Sequence, residues 1–215
     1  MRQFDIVNIL LGLPGLLWAL SFHEFCHGWA AYKMGDDTAA RMGRLSLNPL
    51  HHLDPVGTVM LLLFRFGWAK PVQINSRNFR NPRRDIAIVA LAGPAGNFVS
   101  ALVIAVICGV LAGLFPGLLF TRYGYPTVLG MVMVNIMFMN VGLGIFNLIP
   151  IPPLDGSRVL AMFLPVSALN GYYFLERWGF VIIMACAFLG ILGVVMGPFF
   201  RAANSFLFWI INLIA

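Results

Sequence analysis

His23-Glu24-Phe25-Cys26-His27 forms an H-E-x-x-H. On a helix, positions i and i+4 share a face, with Cβ atoms about 5–6 Å apart. Two imidazoles so placed can bind one Zn²⁺, at Zn–N distances of about 2.0–2.1 Å. Glu24 is one residue on, close enough to reach a water on the metal. Zinc lowers the pKa of that water to about 7, and a carboxylate can then take its proton. A catalytic zinc wants three protein ligands and an open position. The acids available are Asp5, Glu24, Asp36, Asp37, Asp54, Asp85, Asp155 and Glu176. Asp155 follows a proline break, Pro150-Ile151-Pro152-Pro153-Leu154, and is the leading third ligand. Asp54, in Asn48-Pro49-Leu50-His51-His52-Leu53-Asp54-Pro55, is its rival. Cys26 is expected to face another helix rather than the metal.

These residues must be positioned by membrane helices. The chain has 215 residues, 60% apolar and 10% charged, with a mean hydropathy of +0.87. A soluble domain is about 45–50% apolar and about 25% charged. The composition therefore excludes a soluble globular enzyme, a disordered chain and a coiled coil. A membrane-spanning helix needs about 20 mostly apolar residues. Four runs meet that length: about 6–34, 86–115, 127–149 and 172–196. The first is expected to be a retained membrane helix rather than a cleaved leader, because its apolar character continues past residue 22 without a small-residue cleavage site. Gly197-Pro198 is predicted to end the fourth run. The apolar tail 202–215 is predicted to lie at the interface or pack on the bundle.

The polar part is 36–85. Inside it, 56–66 is apolar but too short to span, and reads as a re-entrant or interfacial helix. Residues 68–75 alternate weakly and contain Pro71, which suits a short edge strand or hairpin. The expected architecture is all-α and polytopic: four to five transmembrane helices, a short re-entrant helix and a small edge strand near the site. One membrane-embedded domain is expected over 1–215, with its core at about 18–160 and C-terminal helices at 172–215.

Eight of the fourteen basic residues fall within 36–85, whereas 116–126 carries only Arg122. Basic loops mark the cytoplasmic side. The ends of the first and third runs then meet on that side, bringing His23 and His27 to the depth of Asp155. The net charge of +6 needs no nucleic acid to explain it, since no arginine-rich patch interleaved with aromatics lies outside those loops. Cys26, Cys108 and Cys186 sit in apolar runs and imply no disulfide framework.

The paired motifs, His23 to His27 in one run and Asn147-Leu-Ile-Pro-Ile-Pro-Pro-Leu-Asp155-Gly156 after another, resemble the site-2 protease family of intramembrane zinc metalloproteases. Asn48 to Gly57 and Gly93-Pro94-Ala95-Gly96-Asn97 resemble its short prokaryotic branch. The resemblance covers about 18–160. It implies one Zn²⁺ per chain held by His23, His27 and Asp155, with Glu24 as general base. It also implies that Asn147 stabilises the oxyanion or holds substrate, that Asn97 supports the site, and that His52 contacts substrate. An edge strand around Ile74 would clamp an unwound substrate by strand addition. The implied partners are the lipid bilayer and a membrane-protein substrate with a transmembrane segment. The implied location is a prokaryotic cell membrane, with the active site toward the cytoplasm. Many relatives carry a PDZ or CBS domain, for which this chain has no room.

Three rival readings compete with this one. A different membrane zincin would use Glu176 as third ligand. A metal carrier would need polar residues along a crossing path, and the second and fourth runs offer few. A catalytically inactive metal-binding homologue is the main alternative to an enzyme. Oligomeric state and substrate identity are not written in the sequence.

Overall fold

The computed structural model of the protein describes residues 6–54, 57 and 70–215. Among the described residues the α-helices with defined bounds are α1 (Ile6–Lys33), α2 (Thr38–Arg41), α3 (Pro82–Leu114), α4 (Val128–Asn147), α5 (Asp155–Phe163), α6 (Leu169–Phe188) and α7 (Ile191–Ile214). Among the described residues, α1, α3, α4 and α7 are long and apolar enough to cross a membrane. The protein is an all-α, polytopic integral membrane protein. Its outer faces carry exposed Leu102, Val103, Val106 and Val110 on α3, and Val194 and Trp209 on α7. Lipid accepts such surface, whereas the backbone polar groups must be satisfied inside the helices.

Helices α1, α3 and α4 pack on one another, and α7 closes against α3 and α4. Small residues permit the close approaches. A Cβ on Gly15 of α1 would stand 2.9 Å from the Asn135 carbonyl oxygen of α4. Gly144 of α4 packs on the Phe98 ring of α3. Close backbone contact through small residues replaces hydrophobic driving force inside a bilayer. The central core joins Ala101, Ala105 and Cys108 of α3, Met137 and Val141 of α4, and Leu207 and Ile211 of α7.

The C-terminal part differs from the sequence expectation. The fourth run is divided at Gly190, whose φ of +75° breaks the helix between α6 and α7. A left-handed glycine is a common helix stop, because it has no Cβ to clash. Helix α7 then passes through Pro198 instead of ending there. Membrane helices tolerate an internal proline, because neighbouring groups re-satisfy the backbone. The tail 202–215 is thus the second half of a 24-residue helix. It packs on the bundle, with Ile214 against Gly109 of α3.

The predicted helix 56–66 lies outside the described residues except for Gly57, as do Trp68 and Ala69 of the predicted strand. The remainder, 70–75, forms no strand among the described residues. The reason lies in its donors. Lys70 N–H donates to the His52 carbonyl at 2.8 Å, and Pro71 has no N–H. Val72 N–H donates to Glu24 Oε2 at 2.8 Å, and Asn75 N–H to Asp36 Oδ2 at 2.7 Å. Two side-chain carboxylates take the hydrogen bonds that a ladder would use, giving an extended strap across the end of α1.

Asp36 anchors this strap. It is fully buried and also accepts from Thr38 N–H, Thr38 Oγ1 and Asn78 Nδ2. Burial alone would raise its pKa, but these donors outweigh it and hold the carboxyl below its usual range. The stabilisation is therefore present above the ordinary carboxylate pKa and fades as pH falls through the depressed value.

Candidate metal centre and active site

His23 and His27 lie one turn apart on the buried face of α1, 4% and 7% exposed. Asp155 is the first residue of α5, where the helix N-terminus favours a carboxylate. Its position is fixed by the next residue: a Cβ on Gly156 would run into the Leu148 and Ile149 carbonyls. The three side chains converge. His23 Nε2 and His27 Nε2 are 2.9 Å apart, and Asp155 Oδ2 lies 3.1 and 3.2 Å from them. Among the described residues these three form a group able to hold a metal ion.

Hydrogen bonding on the far side of each ring decides what this triangle can hold. His27 Nδ1 donates to the Val89 carbonyl at 2.7 Å. His23 Nδ1 donates to Asn97 Oδ1 at 2.7 Å. A neutral imidazole has one N–H, so both protons are on Nδ1 and both Nε2 lone pairs face inward. With Asp155 Oδ2, three lone-pair atoms meet at hydrogen-bond distance. One proton can serve one edge of such a triangle, whereas one cation serves all three. Zinc with nitrogen and oxygen ligands at about 2.0–2.1 Å separates its ligand atoms by about 3.3 Å, close to the distances here. The donor set fits zinc.

Gly93 of α3 makes room for the two rings. A Cβ there would sit 2.6 Å from His23 Cε1 and closer still to His27 Nε2. Gly93→Ala is expected to displace the imidazoles and weaken zinc binding by at least about 10–100-fold, the usual scale for disturbing a ligand's orientation. A competition titration against a coloured chelator checks it. Unchanged affinity would show that the rings adjust freely.

The other residues singled out by sequence are distributed unevenly. Glu24 is half-buried beside the ligand pair, with Oε2 held by Val72 N–H. Asn97 is fully buried against His23. Asn147 ends α4 and donates from Nδ2 to the Leu143 carbonyl at 3.1 Å, a helix-local bond. His52 is buried in its own loop, with Nε2 2.7 Å from the Ser46 carbonyl. Ile74 packs beside Ala30, Ala31, Phe79 and Val89. Asp54 accepts from Gly57 N–H and Glu176 is exposed on α6; neither belongs to the metal-holding group. Cys26 packs on Gly96 of α3, as expected. Sequence reasoning did not find the Val89 carbonyl, the Val72 amide or Asn140. Backbone partners leave no trace in residue type. Asn140 did leave one, a polar amide in the middle of an otherwise apolar helix that also carries Asn135 and Asn147.

Comparison with known proteins gives this geometry a lineage. The chain is 34% identical over 196 residues to YwhC of Bacillus subtilis, spanning 88% of this chain and 85% of the relative. The chain belongs to the site-2 protease family. Rip2 of Mycolicibacterium smegmatis is 29% identical over 188 residues, covering 85% of this chain and 69% of the relative. RasP of Bacillus licheniformis is 28% identical over 171 residues, covering 77% of this chain and 34% of that longer protein. All three are named zinc metalloproteases, YwhC and Rip2 provisionally. No family model and no solved structure matches the chain. As a site-2 protease the protein is a zinc metalloprotease of the membrane, and Zn²⁺ is its cofactor.

Proposed function

We propose that this protein is an intramembrane zinc metalloendopeptidase that cleaves other membrane proteins in or near their transmembrane segments. It would work as a single membrane-embedded unit in a prokaryotic cell membrane, with its site toward the cytoplasm. The observation that carries the reading is the convergence of His23 Nε2, His27 Nε2 and Asp155 Oδ2, with Glu24 next to the first ligand on the same helix. The basic stretch 36–85 supports the orientation.

In this reading His23, His27 and Asp155 hold the metal. Zinc, when bound, supplies a Lewis acid that polarises the scissile carbonyl and makes water acidic enough to react near neutral pH. Glu24 takes the proton of the attacking water on Oε1, since Val72 N–H occupies Oε2. It then returns that proton to the leaving amine. Asn147 Nδ2 would turn from the Leu143 carbonyl to donate to the developing oxyanion. Asn97 holds the His23 ring. The strap 70–75, including Ile74, is next to the site and would receive extended substrate; His52 shapes the loop that leads into it.

The test is metal removal in detergent-purified protein. A single zinc per chain is expected by elemental analysis. Hydrolysis of a panel of single-span membrane proteins should stop on chelation and return on adding zinc. Zinc at the site with no hydrolysis across the panel would favour the inactive homologue, and no zinc at all would remove the metalloprotease reading.

A further inference from the structure

We propose that Asn140 of α4 is a positioning residue for the metal centre, acting on His23 through Asn97. The inference rests on the reading of His23 as a zinc ligand and extends the site to a helix face about two turns before Asn147.

One chain of hydrogen bonds, fixed at its far end by backbone, links Asn140 to His23. Asn140 is fully buried in α4. Its Nδ2 donates to the Ile136 carbonyl at 2.8 Å, so its Oδ1 must point the other way. That Oδ1 accepts from Asn97 Nδ2 at 2.9 Å. The same Asn97 Nδ2 donates to the Ala19 carbonyl of α1 at 3.0 Å. Both amide hydrogens of Asn97 are thus used, and its Oδ1 is turned to His23 Nδ1 at 2.7 Å. An acceptor at Nδ1 fixes the Nδ1–H tautomer, which leaves the Nε2 lone pair for a metal.

The reverse orientation of Asn97 would point an N–H at His23 Nδ1. The ring would then carry its proton on Nε2, where it blocks a metal. With Asn140 in place, reversal also sets Asn97 Oδ1 against two oxygens, those of Ala19 and Asn140. Without Asn140 it meets one, and the native orientation buries an unpaired N–H. Asn140 therefore biases a histidine tautomer without touching the histidine. It does so from a third helix, so the spacing of α1, α3 and α4 is reported to the ligand ring.

The experiment compares Asn140→Leu and Asn140→Asp in purified full-length protein. Asn140→Leu removes the acceptor at similar volume. Asn140→Asp, as the neutral acid that its apolar surroundings favour, keeps an acceptor oxygen for Asn97 and an O–H for the Ile136 carbonyl. Zinc affinity by chelator competition should fall about 10–100-fold in the leucine variant and stay close to wild type in the aspartate variant. In zinc-free protein labelled with ¹⁵N-histidine, His23 should shift from Nδ1–H toward Nε2–H in the leucine variant alone. In an Asn97→Leu background, Asn140→Leu should cause no further loss, because the residue it acts through is gone. Asn140→Ala serves the same comparison should leucine disturb packing.

Unchanged tautomer and affinity in Asn140→Leu and Asn140→Ala would overturn the proposal. So would losses that add to those of Asn97→Leu, which would mark general damage to the bundle. The tautomer measurement needs no metal. A tautomer shift in a protein that binds no zinc would support the relay while removing the zinc reading.

Discussion

Asp155→Ala is expected to abolish stoichiometric zinc binding in the detergent-purified protein. The two imidazoles remain one turn apart on α1, with Nδ1 protons still held by Val89 and Asn97. What is lost is the one anionic member of the triangle, at 3.1 and 3.2 Å from the two nitrogens. Two neutral ligands cannot hold a divalent ion as three with a carboxylate do. The fall in affinity should exceed the roughly 10–100-fold seen when only an outer partner is removed. Zinc per chain, measured by elemental analysis after gel filtration, is the direct readout. Equal zinc in variant and wild type would take Asp155 out of the ligand set and return attention to Asp54 and Glu176.

Glu24→Gln is expected to separate the metal from the chemistry. The amide is the same size, and its oxygen can still accept from Val72 N–H, so strap and helix should stay in place. It cannot take up a proton. Zinc content should match wild type, while cleavage falls by about 10²–10⁴-fold, the usual contribution of a positioned general base. Parallel zinc and cleavage assays on one preparation provide the check. A variant that keeps full cleavage would exclude Glu24 as the base. One that loses zinc as well would show that the carboxylate helps build the centre.

The membrane character was legible because composition is a bulk property: too few charges, and runs long enough to span. Three of the four apolar runs became single helices close to the expected positions. The fourth did not, because two local signals pointed the wrong way. Gly197-Pro198 looked like a stop, yet a bilayer relaxes the cost of an internal proline. Gly190 looked like one glycine among many in an apolar stretch, and only its positive φ marks it as the break. The meeting of His23 and His27 with Asp155 was legible because successive spans alternate direction, which puts the ends of the first and third runs on one side, and because a proline break places Asp155 just past the third. Residues 70–75 form a strap rather than a strand for a reason that pattern cannot reveal. Its alternation is real, but its N–H groups at Val72 and Asn75 are taken by the carboxylates of Glu24 on α1 and Asp36 just after it. Asn140 was passed over because it lies outside every motif, seven residues before Asn147.

His27 and Asp155 are 128 residues apart in the chain, and Val89 and Asn97 come from a helix between them. The H-E-x-x-H helix is made before its partners: its rings have no Nδ1 partners until α3 is inserted and no anionic ligand until α5 follows. A nascent chain therefore carries the first histidine pair through the 128 residues that separate His27 from Asp155 without a finished centre. Timing is built into the order of the ligands: the anionic ligand is added last, after α1, α3 and α4 have supplied the histidines and the helices that hold them.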